Sequence, residues 1–358
     1  MIRRPSFPPV RTTRAIAALL SFCAAGCGGG SAAPDASGAA GASGGTAGAA
    51  GGTAGGTGGS GTGGGAGTAA GTSVATGEDR PGAVAVDGSF VYWTTATAIR
   101  RAPKAGGSAT TLFSSQGAPD TLVVDGANLY WRNASTPNGI FTGPATGGQA
   151  AMVVGGLPSA FALDADSVYW LDAGDLMLRR ASKAPGGTPQ MLAGPGNFGL
   201  LVLDDQYLYW AETGARVRRI AKTGGDINEL RPADATPGLR ARWTVLDDTY
   251  IYFATDTSSA QSGALMRVPK AGGAGDTLAS ALDTSDAIAL GGDAVYWLTR
   301  GDSGPGYVAR IPKTGGAAAM IASGFELSIG IAVDAQYVYW TEAGDFGARN
   351  GRVQRVPR

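Results

Sequence analysis

Six acidic side chains, Asp172, Asp175, Asp256, Asp302, Glu342 and Asp345, fall in irregular segments such as "LDAGD" and "TEAGD". Carboxylates converging from several segments would suit calcium, which takes six to eight oxygen ligands. No segment carries the dense D-x-D-x-D-G series of an EF-hand, so a cation site would have to be assembled from separate loops. Solvated loop charge is the simpler account of the same residues. The chain contains no histidine. That removes Ser-His-Asp and Cys-His nucleophile activation, His-ligated zinc and the most usual general base. Calcium is the one cofactor that the residue types leave open, and no other is expected.

Those loops must hang on a scaffold, and the scaffold is written as a repeat. A phrase of the type "VDAQYVYWTE" (333–342) recurs with its aromatic anchor at Trp93, Trp131, Trp170, Trp210, Phe253, Trp297 and Trp340. Successive anchors lie 38, 39, 40, 43, 44 and 43 residues apart, which is the period of a propeller blade. Each unit reads as four strands. A short apolar strand and a turn precede the aromatic strand; a loop of variable length leads to a third strand ending in "PKAGG" or "PKTGG", and a weak fourth strand follows. Gly and Pro punctuate the region every 8 to 12 residues or so, as an all-β chain requires.

The constant positions carry physical roles. Asp87, Asp125, Asp164, Asp204, Asp247 and Asp334 stand between the first two strands, with Gly291 as the sixth unit's departure. An Asp there accepts hydrogen bonds from the turn backbone. The third strand carries arginine at 101, 180, 219, 267, 310 and 355, with Thr142 as the exception. Adjacent Tyr and Trp point to opposite faces of a strand, so each blade offers one aromatic to the neighbour on either side, and each buried indole N–H needs an acceptor. Lys104, Lys183, Lys222, Lys270 and Lys313 are expected beside the repeated aspartates, where the charges nearly cancel.

The final unit ends at "GRVQRVPR" without a fourth strand, while "TSVATG" (72–77) stands alone upstream of the first. An open sheet edge has to be covered. The expectation is a seven-bladed β-propeller over 72–358 in which this N-terminal strand closes the last blade.

The first 70 residues differ in kind. Arg3, Arg4, Arg11 and Arg14 precede an apolar run, "AIAALLSFCAA", too short to span a bilayer and of signal-peptide proportions. It leads into "AAGCGGG" (24–30), which resembles a bacterial lipobox with Cys27 as the lipidated residue. Residues 1–26 are thus expected to be a lipoprotein signal peptide. Residues 27–71 are expected to be a disordered Gly/Ala/Ser/Thr-rich tether, since 20 of the 60 glycines lie between 28 and 71 and no aromatic does; such a segment cannot offset its ordering entropy. No cysteine follows position 27, so the exported domain holds no disulfide. Without the four leading arginines, 24 basic residues face 28 acidic ones, which gives no footprint for nucleic acid.

The wording "VYWT", best seen at Tyr92-Trp93-Thr94 and Tyr339-Trp340-Thr341, resembles the YWTD repeats of low-density-lipoprotein-receptor propellers. Thr95 and Glu342 stand where that tetrad has Asp, and that family has six blades. The resemblance therefore implies the propeller architecture and an extracytoplasmic ligand-binding habit. Repeat-bearing lipoproteins of Gram-negative bacteria are similar in layout.

These readings place a monomer in the bacterial envelope, lipid-anchored through Cys27 at the outer membrane and facing periplasm or exterior. It would be a non-catalytic binding or scaffold module for protein, peptide or glycan, working through the variable loops between second and third strands. The alternative is a metal-dependent lactonase- or lyase-like propeller enzyme with Glu, Asn and Asp around a metal. The tripeptide "RGD" at 300–302 is best read as chance.

Overall fold

In the computed structural model, residues 71–358 are described apart from 197–198, 237, 258, 260, 284, 301–303 and 346–347. The described residues form seven four-stranded antiparallel sheets. Six are built from consecutive strands: blade 1 (84–113), blade 2 (119–155), blade 3 (158–193), blade 4 (202–231), blade 5 (240–282) and blade 6 (285–325). In blade 7 the order is broken. Its inner three strands are Ser328–Val333, Tyr337–Glu342 and Gly351–Pro357, and its outer strand is Thr72–Glu78 from the other end of the domain. The expected closure is present, and the ring is a seven-bladed β-propeller.

The reason the chain spends Tyr-Trp on six units and Tyr-Phe on the fifth is visible in the core. Apolar packing falls into seven clusters, one at each blade junction, rather than into one central core. Each pairs the Tyr of one blade with the anchor of the next: Tyr92 with Trp131, Tyr130 with Trp170, Tyr169 with Trp210, Tyr209 with Phe253. The series continues with Tyr252 and Trp297, Tyr296 and Trp340, and Tyr339 and Trp93. All seven anchors are buried. Truncating one such ring to alanine ordinarily costs about 3–5 kcal/mol.

The indole N–H groups find acceptors in two ways. Trp210 and Trp340 donate to Glu212 and Glu342 two residues along, at 2.7 and 2.9 Å. Trp93 and Trp131 donate to residues fifteen earlier, Glu78 at 2.8 Å and Gln116 at 3.0 Å. Glu78 lies on the closing strand and is also 3.1 Å from Arg100 of blade 1, so it ties the seal to the first blade as well as to the last. Nε1 of Trp170 has no partner among the described residues. Asp172 occupies the corresponding place there, one methylene shorter than the glutamates, and is turned to Gly174 and Arg179 instead.

One tryptophan lies outside the repeat. Trp243, on the inner strand Arg240–Leu246 of blade 5, donates to Ser285 O of blade 6 at 2.8 Å. It shares a continuous apolar cluster with Ala160 on the inner strand of blade 3, so apolar packing joins blades 3, 5 and 6 through their innermost strands.

Candidate functional site

The hairpin turns between first and second strands define one rim of the disk. At this rim the repeated residues form one interlocking device. Asp204 shows it: Oδ1 accepts from the backbone N–H of Gln206 and Tyr207 at 2.9 and 2.8 Å, closing the turn. Its Oδ2 accepts from Tyr209 Oη at 2.8 Å and lies 3.0 Å from Nζ of Lys270 in the next blade. That ammonium sits 5.6 Å from the Tyr209 ring centroid. Toward the same neighbour, Arg219 lies over the Tyr207 ring at 4.3 Å and donates to Lys270 O at 3.1 Å.

The same Asp–Lys contact joins Asp125 to Lys183, Asp164 to Lys222, Asp247 to Lys313 and Asp334 to Lys104. Arg101, Arg180, Arg267 and Arg355 make the matching bond to the next blade's backbone. Burial pushes the Asp164, Asp204, Asp247 and Asp334 carboxyls up, but the hydrogen bonds they accept outweigh it and hold each below the usual carboxylate range. Tyr169 is pushed up to about 12 by burial and by the charge of Asp164. The lysines and aspartates expected near one another are therefore paired across blades, and they are structural.

The opposite rim carries the variable loops and the acids expected to bind there. Asp172 accepts from Gly174 N at 2.9 Å, with Arg179 at 3.6 Å. Asp175 accepts from Met177 N at 3.1 Å and from Arg179 at 2.8 Å, and Arg179 draws its carboxyl below the usual range. Asp256 is 1% exposed and pairs with Arg242, while its Oδ1 has no partner among the described residues. Glu342 is half-buried beneath the Trp340 indole, and burial raises its carboxyl despite Trp340 and Arg352. Asp345 exchanges hydrogen bonds with Asn350 at 2.8 and 2.9 Å. Asp302 and Cys27 lie outside the described residues. The five described acids are thus tied within their own blades, and among the described residues no three metal-ligating side chains come together.

What the loop rim presents instead is guanidinium held by carboxylate. Asp286 on the inner strand of blade 6 accepts from Arg300 at 2.6 and 2.8 Å, leaving 52% of the arginine side chain exposed. Asp256 fixes Arg242, whose side chain is 39% exposed. Asp120 receives Arg132, which also donates to Pro158 O and Ser159 O of blade 3 at 2.9 and 2.8 Å. Asp120, Arg242 and Asp286 all stand eleven residues before their anchors, but the other units have Gly82, Ser159, Gly199 and Ile329 there, so no constant residue type marked the position and sequence reading missed these residues and Arg300. A forked guanidinium oriented in this way is suited to bidentate recognition of a carboxylate or phosphate.

No protein-family model matches the chain, and no curated protein matches it. Solved structures do. An oligogalacturonate lyase from Vibrio parahaemolyticus aligns with a TM-score of 0.59 at 8% identity, covering 79% of this chain and 91% of that one. The extracellular domain of a putative one-component system from B. thetaiotaomicron aligns at 0.58 and 13% identity, over 80% of this chain and 39% of that one. The computationally designed Ika8 protein aligns at 0.54 and 12% identity, over 80% and 98%. At these identities the likeness is one of fold: the chain shares the architecture of these proteins.

Proposed function

We propose that the chain is a lipid-anchored envelope propeller that acts as a non-catalytic binding or scaffold module, meeting a protein, peptide or glycan through its loop rim. The observation carrying this reading is the pairing on that rim, where acids are engaged within their blades and Arg242 and Arg300 stay part-exposed in fixed orientation. A rigid ring with irregular connections on one rim is the arrangement in which binding ordinarily resides. Anchoring rests on the lipobox-like "AAGCGGG" and the Gly-rich stretch behind it. Replacing Cys27 by Ser is expected to move the protein from the membrane to the soluble fraction. For the binding reading, a photo-cross-linking residue is placed at Ser259 on the loop rim or at Ser89 on the turn rim of the full chain in its envelope. Discrete adducts from position 259 are expected. Adducts from position 89 alone, or from neither, would remove the loop rim as the contact face.

A second reading, a metal-dependent lactonase- or lyase-like enzyme, is favoured by one observation: the buried Oδ1 of Asp256 without a donor among the described residues. A thermal shift with calcium that disappears in Asp256→Asn would support it, and the absence of any shift would end it.

A further inference from the structure

Blade 2 brings together three small or short side chains on the turn rim, of which Thr142 alone has no counterpart in another blade. Where four other blades carry an aromatic, Phe90, Tyr207, Tyr250 and Tyr337, it has Asn128. Where six blades carry arginine on the third strand it has Thr142, whose hydroxyl turns to Leu129 O at 3.0 Å. On the outer strand, the partner of Thr142 is Ala151, whereas Arg180 and Arg267 face Gln190 and Asp276 and bond to them through Nε.

These small residues leave a cleft of about 400 Å³ between blades 2 and 3, lined by Asn128, Tyr130, Thr142, Gln149, Ala151 and Lys183. Its position is the one that a guanidinium fills elsewhere. At five junctions the arginine of one blade donates to the carbonyl at the lysine position of the next: Ala145, Lys222, Lys270, Lys313 and Lys104. At this junction the corresponding carbonyl is that of Lys183, and no arginine of blade 2 reaches it. The neighbouring charges do not forbid a cation. Arg180 and Lys222 sit together around Asp164 at the next junction, and Lys183 is likewise neutralised here by Asp125.

We propose that this cleft is a binding site for a guanidinium group, specifically the arginine side chain of a partner peptide or protein. The guest donates to Lys183 O, as the chain's own arginines do to the matching carbonyl at the intact junctions, and also to the side-chain oxygens of Asn128 and Gln149, which line this cleft. A planar fork of donors meets that demand, and an ammonium does so less well. The site lies on the rim opposite the loops and stands whether or not the loop-rim reading does.

The test is calorimetric titration of the full chain with N-acetyl-arginine amide, compared with the lysine amide and the neutral citrulline amide. Saturable binding of the arginine compound near about millimolar Kd is expected, with the citrulline compound about ten-fold weaker or undetectable. Thr142→Arg, which supplies the missing group from within, is expected to abolish binding. If that variant does not fold, Ala151→Trp closes the cleft from the outer strand, with the same expected loss. Arginine binding no tighter than that of citrulline, or undiminished in a folded cleft-filling variant, would overturn the assignment.

Discussion

The junction between blades 4 and 5 and the junction between blades 1 and 2 use the same device with different parts present. At the first, Asp204 holds its turn, its tyrosine and the ammonium of Lys270, and Arg219 crosses to Lys270 O. At the second, Asp87 holds Ser89 N, Phe90 N and Tyr92 Oη, all at 2.7 Å, and Arg101 crosses to the backbone at Ala145, but no lysine side chain exists there. The apolar clusters beneath are alike, each joining a tyrosine to the anchor of the next blade. The comparison teaches that the buried ring pair is the invariant part of a blade junction. The polar clasp over it is a graded addition, from which single members can be lost without opening the ring.

The largest effect tests the ring itself. Deleting residues 72–77 strips the outer strand from blade 7 and shifts Glu78, which Trp93 and Arg100 both contact. A fall in the thermal midpoint of about 10 °C or more is expected by calorimetry; an unchanged midpoint would mean the clasp at 7–1 holds without the seal. Next, Trp210→Ala should cost about 3–5 kcal/mol in urea unfolding. The clasp comes third. Asp204→Ala is expected to cost about 2–3 kcal/mol, and Asp87→Ala about 1 kcal/mol less, because no lysine is stranded. Equal losses would show that the ammonium adds nothing.

The comparison also has a pH form. Folding lowers the Asp164, Asp204, Asp247 and Asp334 carboxyls below their ordinary value of 3.8, so the stability they give is complete above that value. It is lost as pH falls through their folded values. Glu342 has the opposite sign: raised by burial above 4.5, it costs stability near neutrality, and that cost is relieved as pH drops toward 4.5. Replacing Glu342 by Gln should therefore help more at pH 7 than at pH 4. The smallest expected change is Asp172→Glu, which lengthens the side chain toward the unpartnered Trp170 indole and should add about 1 kcal/mol or less.

Much of this was legible because the repeat samples one environment seven times. The Asp, Tyr, Trp, Arg and Lys positions recur at fixed spacing, and the fold, the blade count and the closing strand follow from them. The acceptors of the indoles were only partly legible. Glu212 and Glu342 stand two residues on, whereas Glu78 and Gln116 stand fifteen residues before their anchors, at a position that holds no polar side chain in the other blades. Trp243 escaped notice because its blade already had Phe253 as anchor, and only the inward course of the strand Arg240–Leu246 gives it a role. The loop acids were recognisable as loop acids, but not as partners of Arg179, Arg242 and Asn350.

By itself the sequence determined the circular array, because a strand bearing large aromatics on both sides can bury them only between two like neighbours. It also determined that histidine-based chemistry is absent. The tertiary structure decided which charges remain at the surface. Whether a carboxylate faces solvent or an arginine depends on which residues strand pairing sets side by side near the strand ends, as with Asp256 and Arg242 or Asp172 and Arg179. It likewise decided that Asn128, Thr142 and Ala151, on three successive strands, share one cleft, since cross-strand pairing brings them together.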